Sequence, residues 1–288
     1  MLLPVMVEAL AALIVTLPAV TPGAEPAAEL REVEQRLVAE AAQAQPGMAV
    51  GIAVQDLTTG GWAGVNADLT FVSASAAKVI WVAAAVKRRG VQPVRPLVGP
   101  IFRTSDNDAA GQVLQLIGTD KVNDFYAEVG MTHSLFVAWK DLEAPGKDPS
   151  SHDNLITARD AVTFLQRLDS GAILGPAETA LMRRWLRWAP RSGEGGWLAA
   201  RLPPQARALV MHKAGWLPPG CCGGEAHRNV LTELGIVQVP HGHRYAVALL
   251  TAHGARWREQ AAFVERASRQ LYDVVAKQGA AAQPSSVP

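Results

Sequence analysis

Ser75-Ala76-Ala77-Lys78-Val79-Ile80-Trp81-Val82-Ala83-Ala84-Ala85-Val86-Lys87-Arg88-Arg89-Gly90 is the stretch on which the fold turns. It reads as a helix from Ser75 to Arg89 that is apolar on nearly every side, so it belongs in the interior. Lys87, Arg88 and Arg89 complement the negative end of its dipole, and Gly90 stops it. Ser75 and Lys78 open the helix three residues apart, which puts both side chains on one face. A serine hydroxyl is a poor nucleophile until a neighbour takes its proton. A lysine can do so when burial or a second cation lowers its pKa. Alone the motif is weak, because roughly one Ser-x-x-Lys is expected by chance in a chain of this length. A capping serine beside an ordinary solvated lysine would look the same.

Outward from that helix the periodicities change. Leu30, Val33, Leu37, Val38 and Ala41 recur at helical spacing between Ala27 and Ala44, before Pro46-Gly47. Met48 to Val54 reads as a strand, Leu57-Thr58-Thr59-Gly60-Gly61 as a turn and Trp62 to Val65 as the returning strand. Downstream come four helices: Asp106 to Ile117, Asp120 to Val129, Thr157 to Leu168 and Pro176 to Trp188. Thr157-x-x-Asp160 has capping-box spacing, and Pro176 suits a first helical position. Three strand-like runs follow, Ala208 to Trp216, Leu231 to Val239 and Tyr245 to Ala252, and then a helix from Ala255 to about Ala276. The expectation is an α+β fold, an antiparallel sheet flanked by helices with an all-helical lobe inserted between the first hairpin and the last three strands. Residues 29–277 form one two-lobed domain on this reading, with a sheet lobe at 29–72 and 195–277 and a helical lobe at 73–194; residues 278–288 are a flexible tail.

Composition removes several classes of function. The 288 residues carry 27 Lys and Arg against 26 Asp and Glu, a net charge of +1, which leaves no basic excess for nucleic acid. Ala9 to Val20 is almost purely apolar, so residues 1–28 read as a signal peptide or a plain apolar extension, and a secreted or periplasmic location is expected. Glu8, Pro18 and the lack of any Lys or Arg before Arg31 weigh against a signal peptide. The run is too short for a stable membrane span. Cys221 and Cys222 are adjacent, a strained geometry for a disulfide. They share no recognised ligand spacing with His212, His227, His241 or His243, so no metal and no cofactor is expected, and the histidines read as surface or loop residues. A monomer acting on a small-molecule substrate is the resulting expectation.

Two further motifs raise the signal from Ser75 and Lys78. Ser105-Asp106-Asn107 stands just before a helix, where Asp106 alone could be a cap. Lys213-Ala214-Gly215-Trp216 ends a strand, where a lysine could place charge in a cleft and Gly215 would let a substrate backbone approach. In this order, Ser-x-x-Lys, Ser-Asp-Asn and Lys-x-Gly resemble the signature set of class A β-lactamases and penicillin-binding proteins. The resemblance runs from about Ala27 to Ala276 and includes Phe71, Ser-Asp-Asn-Asp-Ala-Ala, Ile117-Gly118 and Asn154-Leu-Ile-Thr-Ala-Arg-Asp. It implies that Ser75 is the acylated nucleophile, Lys78 its base or proton relay, and Ser105 the shuttle to the leaving nitrogen. It also implies that Asn107 binds the acyl-side amide, that Lys213 attracts the substrate carboxylate, and that the N–H groups of Ser75 and Trp216 form the oxyanion hole, with Gly215 between. Lys213 would help to depress the pKa of Lys78.

The sequence departs from that pattern in three places. Ala214 stands where the family has Thr or Ser, so a hydrogen bond to the substrate carboxylate worth about 1 kcal/mol is missing. Only 30 residues separate Ser75 from Ser105, which implies a trimmed helical lobe. With Trp139 aligned to a family aromatic, Lys140 falls on the deacylating glutamate; Asp141 or Glu143 could substitute only if the loop shifts, and otherwise belong to a solvated loop. The expected function is a serine acyl hydrolase of β-lactamase type with impaired deacylation. The alternatives are a D-alanyl-D-alanine carboxypeptidase or endopeptidase of cell-wall metabolism, and a penicillin-binding sensor without turnover.

Overall fold

The buried helix is the centre of the structure. In a computed structural model that describes residues 28–137, 154–219 and 229–281, a 3-10 turn at Ala74–Ala77 leads into α2, Lys78–Arg89. Every residue of α2 from Lys78 to Val86 is buried. Before it come α1 at Ala28–Ala44, the hairpin β1, Ala49–Asp56, and β2, Trp62–Val65, and a short β3 at Thr70–Val72. After it come α3 (Val91–Thr104), α4 (Asn107–Ile117), α5 (Val122–Glu128), β4 (Leu155–Thr157), α6 (Ala158–Asp169) and α7 (Pro176–Leu186). Two short helices, α8 at Trp197–Ala200 and α9 at Pro204–Leu209, precede β5, Met211–Leu217. The chain closes with β6 at Val230–Gln238, β7 at Arg244–Ala252 and α10 at Trp257–Ala281.

Five strands form one antiparallel sheet in the order β2-β1-β7-β6-β5, and β3 pairs with β4 apart from it. The fold is α+β, as the sequence leads one to expect. Apolar residues of α1 and α10 cover one face, joined by Val50, Ile52, Val54, Val247 and Leu249 of the sheet. The alternate positions Ala53, Ala246, Ala248 and Leu250 face a second apolar cluster that contains α2, α4 and α6. Period-two alternation thus assigns successive residues of β1 and β7 to two different cores. Among the described residues no helix is long and apolar enough to cross a membrane.

Two readings of the sequence need correction, and one helix was not foreseen. Residues 91–104 are helical, with Pro93, Pro96 and Pro100 inside the segment. Pro93 sits in the first turn, where an N–H has no partner in any case, so only Pro96 and Pro100 remove ladder hydrogen bonds. The proposed strand from Ala208 starts later, because Pro204–Leu209 is a helical turn and β5 begins at Met211. His212 is neither on the surface nor in a loop. It is 1% exposed on β5, with Nδ1 2.9 Å from Glu233 Oε2 and Nε2 2.7 Å from the Pro190 carbonyl. Cys221, Cys222 and His227 lie outside the described residues.

Candidate active site

Position begins with the turn that carries Ser75. Its first residue, Ala74, has φ +44°, a left-handed conformation that costs an alanine about 1–2 kcal/mol and is held by its surroundings. Ser73 N donates to the Asn154 carbonyl at 2.7 Å, and Thr232 Oγ1 of β6 donates to the Val72 carbonyl at 3.1 Å. The turn is thereby tied to both the β4 side and the main sheet. Ser75 itself is half-buried as the second residue of this turn, and its hydroxyl makes no hydrogen bond among the described residues.

Gly215 explains the close packing on the other side. A methyl group there would lie 2.4 Å from Ala76 N, 2.5 Å from Ser73 O and 2.7 Å from Ser75 N. The backbone that Gly215 admits is therefore the protein's own, which replaces the expectation of a substrate backbone at that point. Edge strand β5 lies against the turn that carries Ser75, and this contact brings the Ser75 and Trp216 segments together. Gly215→Ala is expected to destabilise the protein by about 1–3 kcal/mol, because two backbones and no flexible side chain must give way. The melting temperature should fall and acylation should fall further than the folded fraction. An unchanged melting temperature would show that the turn and strand can part at no cost.

Ser105 is placed by the end of α3. There the chain turns through a left-handed residue, Ser105 at φ +58°, and α4 starts at once with Asp106 capping Ala109 N at 2.7 Å. The cap that Asp106 alone suggests is real, and it also aims the residues on either side. Lys213 Nζ donates to Ser105 Oγ at 2.9 Å, and Lys78 Nζ approaches the same oxygen at 3.4 Å. Lys78 also donates to Asn107 Oδ1 at 2.6 Å and to the Ser105 carbonyl at 2.5 Å. With two ammonium groups directed at its lone pairs, the Ser105 hydroxyl keeps its own proton free for a third partner. Lys78 is held on the Ser-Asp-Asn segment rather than on Ser75, although Ser75, Lys78, Ser105 and Asn107 line one cleft of about 600 Å³.

Both lysines are nearly closed off from solvent, Lys78 at 4% and Lys213 at 3% exposure. Burial holds the Lys78 ammonium down to about 8, against the attraction of Asp106. Burial and then repulsion from Lys78 hold Lys213 down to about 7, while Glu233 pulls it upward. Burial is thus the first cause for both lysines, and the mutual repulsion of the two ammonium groups favours loss of a proton from the pair. Trp216 packs edge-on against Trp197 with ring centres 5.4 Å apart, and its Nε1 donates to Glu194 at 2.6 Å. The methyl of Ala214 joins the core under α1 and α10.

The structure gathers Ser75, Lys78, Ser105, Asn107, Lys213, Gly215 and Trp216 around one cleft and its side cavity. Lys140, Asp141 and Glu143 lie outside the described residues. Sequence reasoning did not single out Trp81, whose ring lines the cleft one turn beyond Lys78 and packs edge-on against Phe136. Its signal was spacing, since position 81 shares a helix face with 78. Glu194 and Glu233 gave no comparable signal, because a lone glutamate does not reveal its partner.

An antiparallel sheet beside a helical cluster, with a serine at the head of a buried helix and two lysines converging on a second serine, defines the class. The chain belongs to the β-lactamase enzyme family, whose model matches residues 30–93 and 89–275. No curated protein matches it. Among solved structures it is similar to a mutant of PBP-A described as an acyl-enzyme complex with penicillin G, at 19% identity and a TM-score of 0.70, covering 89% of this chain and 99% of that one. A β-lactamase from Chitinophaga pinensis matches at 18% identity and a TM-score of 0.71, covering 85% and 99%. A representative of class A β-lactamase from Bacteroides cellulosilyticus matches at 19% identity and 0.71, covering 86% and 99%. At these identities the solved structures speak for the fold.

Proposed function

We propose that this protein is a serine acyl hydrolase that opens a β-lactam or a related amide next to a carboxylate, through an acyl-Ser75 intermediate. The observation that carries the reading is Ser105 Oγ lying 2.9 Å from Lys213 Nζ and 3.4 Å from Lys78 Nζ beside Ser75. In the acylation step Ser75 Oγ attacks the carbonyl carbon and neutral Lys78 takes its proton. The N–H groups of Ser75 and Trp216 receive the developing oxyanion. The carbon–nitrogen bond then breaks as Ser105 passes its proton to the nitrogen and recovers one from the Lys78 ammonium. Lys213 holds the substrate carboxylate, and Nδ2 of Asn107 meets the acyl-side carbonyl while its Oδ1 stays on Lys78. Water completes the cycle by attacking the ester carbon and releasing Ser75.

Deacylation is the slow step in this proposal, because Lys140 stands where the resemblance puts the glutamate that activates water. The same substitution favours a second reading, a D-alanyl-D-alanine peptidase of the cell wall that works with Ser75, Lys78 and Ser105 alone. It also admits a sensor that is acylated without turnover. Two lobes, split as the sequence suggests, an exported chain and a monomer complete the proposal; the apolar stretch from Ala9 to Val20 supports export.

Incubation with a fluorescent penicillin and a chromogenic cephalosporin, with intact-protein mass measured in parallel, tests it. A burst of about one equivalent followed by slow turnover is expected, with one adduct mass on the protein. More than one product molecule per protein separates an enzyme from a sensor. Absence of both adduct and turnover overturns the hydrolase reading, and fast linear turnover without an adduct overturns slow deacylation.

A further inference from the structure

Behind the strand that carries Lys213 lies a pair of ionisable side chains that the proposed reaction does not touch. His212 of β5 and Glu233 of β6 are fully buried and meet at 2.9 Å through Nδ1 and Oε2. Both ends of the pair are closed, because His212 Nε2 donates to the Pro190 carbonyl at 2.7 Å and Glu233 Oε1 accepts from Leu198 N at 3.0 Å. Alternation along β5 sends His212 and Ala214 to the sheet face under α1, α8 and α10, and Lys213 to the cleft. Glu233 stands opposite Ala214 in the strand register, next to Lys213, whose Nζ donates to the Ala214 carbonyl at 2.6 Å. In front of the sheet, Lys78 and Lys213 bring two buried ammonium groups to one hydroxyl. Five carboxylates are buried among the described residues, Glu34, Asp56, Asp160, Asp169 and Glu233. Asp56 and Asp160 accept backbone N–H groups, Asp169 holds Arg183 and Arg244, and Glu34 is on α1. Of the five, only Glu233 stands on β5 or β6. The other charges near the two lysines are open to water. Asp106 lies beside Lys78, Arg103 and Glu194 share a side cavity with Lys213, and α7, which packs on β5, brings Glu178, Arg183 and Arg184, all of them half-exposed or exposed. Solvent screens these groups far more than it screens Glu233.

From this arrangement we propose that Glu233, oriented by His212, is a positioning residue for Lys213: the buried counter-charge behind β5 against which the ammonium group in the cleft is balanced. The inference rests on the hydrolase reading above and assigns it two residues that touch no substrate. Burial and the repulsion of Lys78 push Lys213 down, and Glu233 is the anion that pulls it back up. His212 limits that pull. The Pro190 carbonyl fixes one proton on Nε2, and a second proton lies between Nδ1 and Glu233 Oε2, so the pair is neutral as a whole. Loss of its cationic half leaves a full negative charge behind Lys213, and loss of its anionic half leaves none.

The test is the rate of adduct formation with a fluorescent penicillin from pH 5 to 10, at low and at saturating concentration, in the wild type, Glu233→Gln and His212→Asn. Both substitutions preserve the hydrogen bond between the two strands. Glutamine accepts from Leu198 N and donates to His212 Nδ1, and the asparagine amide donates to Glu233 in place of Nδ1. At low concentration Glu233→Gln is expected to match the wild type near pH 5 and to fall about three- to tenfold below it above pH 8, where less of Lys213 is charged. His212→Asn is expected to depart from the wild type on the same alkaline side but upward. At saturating concentration the bound carboxylate keeps Lys213 charged, so the three rates should converge. A dyad that merely braces the strand would slow acylation by one factor at every pH and at both concentrations. That result overturns the proposal, as do profiles that coincide with the wild type. If Glu233→Gln does not fold, the direction of the change in His212→Asn decides. No adduct on the wild type at any pH sinks the hydrolase reading itself, whereas an adduct whose pH profile is indifferent to residues 212 and 233 sinks only the role of the dyad.

Discussion

Ser75→Ala is expected to abolish covalent labelling by a penicillin and to leave the melting temperature where it was. The two halves of that result come from different features of one residue. The Ser75 hydroxyl has no hydrogen-bond partner among the described residues, so its removal orphans no buried donor or acceptor. Alanine already occupies both flanking positions, Ala74 and Ala76, and suits the start of a helix. Chemistry, by contrast, loses the atom that forms the acyl bond in the proposed reaction. In serine hydrolases of other folds the loss of the nucleophile costs about 10⁶-fold in turnover, and a comparable collapse is expected here. Intact mass after incubation with a β-lactam reads the adduct, and thermal unfolding reads the fold. An alanine variant that still gains the adduct mass at the wild-type rate would place the nucleophile elsewhere.

How much of this arrangement could be read from the sequence varies with the kind of physics involved. Periodicity carried the hairpin, α2, α6 and the last two strands, because each buries a face whose repeat is written in the residue order. It marked no element at α3, where three prolines obscure a helical repeat that Val94, Val98, Ile101 and Phe102 nonetheless bury. The three motifs of the site were legible as residue types. Their geometry was not, since the left-handed Ser105 depends on where α3 ends and the role of Gly215 on what backbone lies across from it. The pair of His212 and Glu233 was invisible for a related reason. Residues 21 positions apart become partners only through the register that sets His212 opposite Gly235, two residues beyond Glu233. Because the Pro190 carbonyl can only accept, Nε2 of His212 must carry a proton, and Glu233 also receives Leu198 N at 3.0 Å. The strand that bears Lys213 is thus fastened from behind to the segment that bears Glu194.

The second large effect is expected at Lys78, where the proton must be absent for the reaction to begin. Burial brings this ammonium down to about 8, so at pH 7 roughly a tenth of the molecules hold it neutral, against a negligible share for an ordinary lysine. In the proposed reaction Lys213 has the opposite requirement, since it holds the substrate carboxylate only while charged, and it is held down to about 7. The two ammonium groups converge on one hydroxyl and lose their protons as a coupled pair. Acylation at low substrate concentration should therefore be bell-shaped in pH. It rises as the first proton leaves the pair, peaks between about 7 and 8, and declines as the second leaves. A bound carboxylate favours the charged form of Lys213, so at saturating substrate the alkaline limb should move to higher pH and the acid limb should follow Lys78 alone, near 8. Lys78→Arg removes the acid limb altogether, because a guanidinium does not deprotonate in this range. Its acylation is expected to fall by about 10³-fold or more, within the span that a general base contributes, and raising the pH to 10 should not restore it. The measurement is the rate of adduct formation by stopped-flow fluorescence across pH 5 to 10, in wild type and variant. Near-native acylation by Lys78→Arg, or a wild-type rate that does not change with pH, would mean that the Ser75 proton leaves by a route that avoids Lys78.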